Sequence, residues 1–260
     1  MTLTVMGVTH LNNKLYAVYS HSNKIAVFLA ETPFTVQTPI VVREMFGPLD
    51  VAACSVNICC YIPDCSGVWR VKIDMEEVDR REGYIMVWLR VNNVKSIWMV
   101  PGGNVLLTEF KRIAMYDKSG KVIYQIPLVD DFKKGVQHAM ETLDKTLIVC
   151  QFDKRDAKYQ RLTEINQCGE VLYTYSGKVG KSLFGPRYVV QDAERDWLFV
   201  SYFEHRVLLF NIKMAFQGVL VKDKVDNFKR ICYVKELRLL LLCTACGVVD
   251  VYRVLPKHLC

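Results

Sequence analysis

The feature that most constrains this chain is a module that recurs six times. Its clearest copy runs from Phe184 to Asn211, with an apolar run through Val190 and a polar turn at Gln191–Arg195. A second run, Leu198–Tyr202, and a third, Arg206–Phe210, complete it. Short β-branched and aromatic runs separated by polar turns are the pattern of an antiparallel meander. With Phe210, the last apolar residue of the third run, as a marker, the equivalent positions are Phe28, Val71, Tyr116, Ile165 and Tyr252. These six markers are separated by 43, 45, 49, 45 and 42 residues. Units of this length predict an all-β fold, a six-bladed β-propeller of four-stranded antiparallel blades.

The register has independent support. Four residues before the marker stands a cation in four units, Lys24, Arg112, Arg161 and Arg206, while Gly67 and Val248 depart. After the marker, Asp117–Gly120 and Asn166–Gly169 match offset for offset. Asp or Asn followed three residues later by Gly suits a side-chain-capped turn that needs positive φ.

One propeller domain is expected over 1–260, with blades at about 4–42, 47–83, 84–128, 135–178, 184–222 and 228–254. Only Met75–Arg81 has helix-forming composition. The sixth blade shows three strands, Arg230–Val234, Leu237–Cys243 and Val248–Val254, and is expected to be incomplete. Its outer strand could come from Met1–Thr4 or from upstream residues of a longer protein. The second is expected, and with it a weakly closed ring.

Half of the residues are apolar, ample for a large core, and the net charge of +7 permits an electropositive face without requiring one. Met1–Val5 lacks the basic and apolar regions of a secretory signal, so a cytoplasmic location is expected. The longest apolar run, Leu239–Cys243, is far short of a membrane span, and no membrane partner is expected. Most of the ten cysteines lie in or beside apolar strands, where a free thiol behaves as a small hydrophobe. Cys243 and Cys246 have zinc-knuckle spacing but no second pair, so neither metal nor other cofactor is expected.

The segments Ser20–Phe28, Ser201–Asn211 and Arg112–Gly120, with the blade starts Gly47–Asp50 and Phe184–Arg187, resemble the NHL-repeat propellers, a six-bladed family also described as TolB-like. The strand-ending Asp of that family is replaced here by Ser20, Glu109 and Ser201. NHL propellers often follow RING, B-box and coiled-coil modules in tripartite-motif ubiquitin ligases, none of which is in this sequence. The resemblance implies a fold and a non-catalytic binding role, within a larger ubiquitin-ligase-type protein.

Propellers bind through the face where the second-to-third strand turns and the between-blade connections converge. The candidate partner- or RNA-binding residues there are Lys24, Phe110, Lys111, Arg112, Lys154, Arg155, Phe203, His205, Arg206, Arg187 and Lys229. A protein partner is the first expectation. RNA is the alternative, with these cations meeting phosphates and Phe110, Phe184, Phe203 and Phe228 able to stack on bases. A metal-dependent lactonase or hydrolase ranks third, because Asp50, His138, Glu141 and Gln191 on the inner strands do not recur as a ligand ring. His10 and His138 are read as structural. Gly177–Ser182 has the wrong spacing for a phosphate loop, and no nucleophile elbow or His-Glu-x-x-His motif appears, so no catalytic residue and no small-molecule substrate is expected.

Overall fold

A computed structural model describes residues 3–31, 33–73, 85–128, 135–153, 160–176, 178–179, 182–183, 185–202, 206–221 and 228–255, with the backbone alone at 178–179, 182–183 and 229. Six antiparallel sheets stand round a central channel. Blade one is β1 (Val5–Leu11), β2 (Lys14–Tyr19), β3 (Lys24–Leu29) and β4 (Thr35–Val41). Blade two is β5 (Ala52–Cys54), β6 (Cys59–Pro63), β7 (Val68–Lys72) and β8 (Ile85–Leu89). Blade three is β9 (Val94–Met99), β10 (Val105–Glu109), β11 (Arg112–Tyr116) and β12 (Val122–Pro127). Blade four is β13 (Val136–Glu141), β14 (Leu147–Gln151), β15 (Arg161–Ile165) and β16 (Val171–Tyr175), followed by the small hairpin β17 (Lys178–Val179) and β18 (Ser182–Leu183). Blade five is β19 (Pro186–Asp192), β20 (Trp197–Tyr202), β21 (Arg206–Asn211) and β22 (Phe216–Val221). Blade six has three strands among the described residues, β23 (Phe228–Val234), β24 (Leu239–Thr244) and β25 (Val249–Arg253).

The burial pattern follows from this order. The second strands β6, β10, β14 and β24 are buried at every residue, because a neighbouring blade covers each side. Their sequences are accordingly mostly apolar, with polar residues only at one end, Thr108 and Glu109 in β10, Gln151 in β14 and Thr244 in β24. The outer strands β4, β12 and β16 face solvent, leaving Val36, Ile123 and Leu172 exposed. Six apolar clusters fill the six gaps between adjacent blades.

The paired turns work as their sequences imply. Asp117 Oδ1 accepts the Ser119 and Lys121 amides, Asn166 Oδ1 accepts those of Cys168 and Glu170, and Gly120 and Gly169 both have φ of 87°. Blade five repeats the device without glycine: Asn211 Oδ1 caps the Ala215 amide, and Met214 takes the positive φ.

Two expectations need adjustment, and a third lies outside the described residues. Ile85–Leu89, placed at the start of blade three, pairs with β7 and is the outer strand of blade two, so the boundary lies beyond 89 rather than at 83. The helical reading of Met75–Arg81 lies outside the described residues. Among the described residues the sixth sheet has three strands, as expected, but the gap between blades six and one is not weakly packed. Val5, Val8, Leu15 and Ala17 meet Val234, Leu239, Leu241 and Cys243 in a buried cluster. Thr4 crosses the same seam, donating from Oγ1 to Ala245 O and from its amide to Ser20 Oγ.

Candidate functional site

The inner strands β1, β5, β9, β13, β19 and β23 line the channel, and their register decides what points into it. In β1, β9, β13, β19 and β23 the pairing slips at the second residue, between Val5/Gly7, Val94/Ser96, Val136/His138, Pro186/Tyr188 and Phe228/Arg230. A bulge inserts one residue and re-aims its neighbours. The third residue of five inner strands therefore falls at one level of the channel: Gly7, Ser96, His138, Tyr188 and Arg230. Asp50, just before β5, completes the ring, so that each blade gives one residue.

This ring closes the channel. Asp50 Oδ1 accepts the Val51 amide at 2.9 Å, and Oδ2 accepts the Ile97 amide at 3.2 Å and the Tyr188 hydroxyl at 3.1 Å. Arg230 Nε lies 3.4 Å from the same Oδ2. Its guanidinium sits over the Tyr188 ring and donates from Nη2 to Lys95 O at 2.8 Å. His138 stacks on Tyr188, with centroids 3.5 Å apart, its Nδ1 bonded to Ser96 Oγ and its Nε2 to Val189 O. Gly7 is required by the closeness of this packing, since a Cβ there would lie 2.8 Å from both Asp50 Oδ1 and the Val51 nitrogen.

Electrostatics follow from burial. Desolvation pushes the Asp50 carboxyl up, opposed by Arg230 and by its three donors. Desolvation, then Arg230, holds the His138 imidazole well below its ordinary value, so it is neutral at pH 7. Above the ring, Lys95 projects from the second position of β9 and donates to Val136 O at 2.7 Å, its ammonium 5.4 Å from the centre of the Phe110 ring. Arg187, at the bulge of β19, lies over Phe152. Burial lowers Lys95, and burial followed by Arg230 lowers Arg187. Three cations thus stand at the closed end of the channel, and one of them, Arg230, is paired with Asp50.

The expected site residues divide into groups. Lys24, Phe110, Lys111 and Arg112 lie on the face of the second-to-third strand turns, where Phe110 is 49% exposed. Arg187 is drawn into the channel mouth instead. Arg112 is engaged within its blade, bonded to Glu109, Gln125 and Tyr116. Arg206 opens β21 opposite Tyr202. Lys154, Arg155, Phe203 and His205 lie outside the described residues, as do Phe184 and the Lys229 side chain. The candidate stacker Phe228 is buried at 2% and packs between blades five and six. Glu141 pairs with Lys145, and His138 has both nitrogens bonded as a structural residue. Among the described residues no group of three or more His, Cys, Asp or Glu side chains could hold a metal ion.

Lys95 was not among the expected site residues, although the sequence carries a signal for it. The first two residues of β9, β13, β19 and β23 read Val94-Lys95, Val136-Gln137, Pro186-Arg187 and Phe228-Lys229, an apolar residue and then a polar one.

No family model matches the chain, and no curated protein matches it in sequence. Solved structures do match in shape. Hydrazine synthase of Kuenenia stuttgartiensis superposes with a TM-score of 0.66 at 11% identity, covering 97% of this chain and 96% of that one. The WD40 β-propeller domain of Doa1 gives 0.67 at 12% identity, covering 98% and 94%. A chain of the nidogen/laminin complex gives 0.62 at 14% identity, covering 84% and 80%. The likeness is one of fold. It supports a β-propeller along nearly the whole chain and carries no activity with it.

Proposed function

We propose that this propeller is a non-catalytic interaction module that binds an acidic segment of a partner protein on the face bearing Lys24, Phe110 and Lys111, over the channel mouth. The observation that carries this reading is the group Lys95, Arg187 and Arg230 at the closed end of the channel. An arriving carboxylate would meet partly desolvated cations, and charge-assisted hydrogen bonds are strongest in such surroundings. Phe110, exposed beside Lys95 and Lys111, adds the kind of aromatic anchor that interfaces use.

The non-catalytic part rests on the ring. Asp50, Tyr188 and His138 are committed to one another and to the backbone, leaving the ring no unbonded general base or nucleophile. The finer placement within the NHL type, in a cytoplasmic ubiquitin-ligase-type protein, rests on the sequence motifs alone. RNA is the second reading, favoured by Phe110 standing exposed between two lysines. The test is capture of partners by the native protein and by a Lys24→Glu/Lys111→Glu variant, with and without ribonuclease. Loss of ribonuclease-resistant protein partners in the variant is expected. Loss of capture on ribonuclease treatment transfers the site to RNA.

A further inference from the structure

We propose, on the basis of the interaction face assigned above, that the partner segment bound there is amphipathic, its carboxylates alternating with bulky apolar side chains, and that Phe46 is the anchor those apolar side chains meet. Phe46 lies in the connection from blade one to blade two, beside the second-to-third strand turn of blade two and on the face that carries Lys24, Phe110 and Lys111. The residues on either side of it serve the core. Met45 is 2% exposed in the apolar cluster between blades one and two, and Pro48 is buried. Phe46 instead projects outward and is 67% exposed.

A single exposed apolar side chain on a loop is ordinary. Phe46 differs in how firmly its backbone is held. Asp64, with no exposed surface, accepts five hydrogen bonds. Its Oδ1 takes the Ser66 amide at 2.7 Å, the Ser66 hydroxyl at 2.7 Å and the Gly67 amide at 3.0 Å. Its Oδ2 takes the Trp69 indole N–H at 2.7 Å and the Phe46 amide at 3.1 Å. The Cys65 thiol donates to Phe46 O at 3.7 Å, and the Leu49 amide to Pro63 O at 2.8 Å. The connection and the turn of blade two are therefore tied into one unit, with the phenyl ring standing on a fixed backbone. An aromatic side chain presented this way loses little freedom when a partner covers it, which is the condition for an energetic hot spot.

The surroundings define what would cover it. Val41, 42% exposed, pairs with Lys24 at the end of blade one, and exposed Arg43 and Glu44 follow. Phe110 and Lys111, both exposed, occupy the matching turn of blade three. Apolar and cationic groups thus alternate across three neighbouring blades: Val41 with Lys24, Phe46 with Arg43, Phe110 with Lys111. A wholly acidic segment leaves two phenyl rings uncovered, and a wholly apolar one covers cations without pairing them. A segment that alternates carboxylates with aliphatic or aromatic side chains satisfies both kinds of group.

The experiment selects a phage-displayed library of random peptides on the purified chain, then measures binding of a fluorescein-labelled synthetic peptide of the enriched sequence by anisotropy. Enriched sequences should carry Asp or Glu interleaved with bulky apolar residues. The peptide should lose about tenfold in affinity with Phe46→Ala, keep it with Phe46→Trp, and keep it with Val36→Ala, an exposed apolar residue on the outer strand β4. Phe46→Ala should unfold at the native urea midpoint, so that lost binding reports the side chain and not the fold. A lowered midpoint, or enrichment of acidic sequences without apolar residues, would overturn the proposal. A peptide lost from Lys24→Glu/Lys111→Glu but retained by Phe46→Ala overturns the role of Phe46 and leaves the interaction face standing. A peptide retained by both variants, or no enrichment at all, overturns the face as well.

Discussion

The Tyr188 hydroxyl donates to Asp50 Oδ2 across 3.1 Å, joining residues 138 apart in sequence and blade five to blade two on the far side of the channel. With Arg230 on the same carboxylate oxygen and His138 stacked on the same phenol, four blades meet in one buried polar knot. Such a network fixes how the blades sit about the axis, because each member is satisfied only when the others are in place.

Removing one partner should therefore be costly. Asp50→Asn strands the Arg230 charge in the channel and should destabilise the fold by about 3 kcal/mol, whereas Tyr188→Phe removes one hydrogen bond and should cost about 1 kcal/mol. Urea unfolding at pH 7 measures both. Asp50→Asn/Arg230→Met should recover part of the loss, since burial already disfavours the ionised carboxyl. A single Asp50→Asn as stable as the native chain would remove the knot from the account.

Acid should loosen the same layer through His138. Its folded value is depressed, so the unfolded chain takes up its proton first as pH falls. The stability linked to it is present above pH 6.5 and drains as the pH drops below that point, at up to about 1.4 kcal/mol per pH unit. Between pH 6.5 and 5, a His138→Gln variant should show a shallower fall in unfolding free energy than the native chain. Parallel curves would mean that His138 does not report the acid sensitivity.

Gly7 tests how tightly blades one and two approach. A methyl group at this position would sit 2.8 Å from Asp50 Oδ1 and from the Val51 backbone nitrogen, and backbone cannot swing away as a side-chain end can. Gly7→Ala should cost about 2 kcal/mol as overpacking, read as a lowered urea midpoint. Gly218→Ala, on an outer strand with nothing within 4 Å of the added carbon, is the matched control and should change little.

The sequence makes the blades legible because each blade repeats the same physical task. Buried second strands such as Leu147–Gln151 must be apolar over most of their length, and turns such as Asp117–Gly120 need a capping side chain and a positive φ, so both recur at a fixed spacing. The channel ring is hidden for the opposite reason. Gly7, Asp50, Ser96, His138, Tyr188 and Arg230 occupy equivalent places but satisfy one another, so their identities complement across the ring and do not repeat. A search for recurring carboxylates or histidines passes over such a set. Ile85–Leu89 reads as the start of blade three because the distance from β7 to its outer strand is much longer than in the other blades. Lys95 is not legible as a channel residue because a cation at the second place of an inner strand reads as surface until the bulge shows which way that place faces.

The measurement that bears most directly on the central claim is quantitative comparison of proteins captured by the native chain and by Lys24→Glu/Lys111→Glu, with Lys145→Glu on the opposite face as control. The account predicts a set of ribonuclease-resistant protein partners retained by the native chain and by Lys145→Glu, lost from the double variant, and weakened by added salt. Identical capture by all three proteins, or loss in the Lys145→Glu control alone, would contradict an interaction face at the channel mouth.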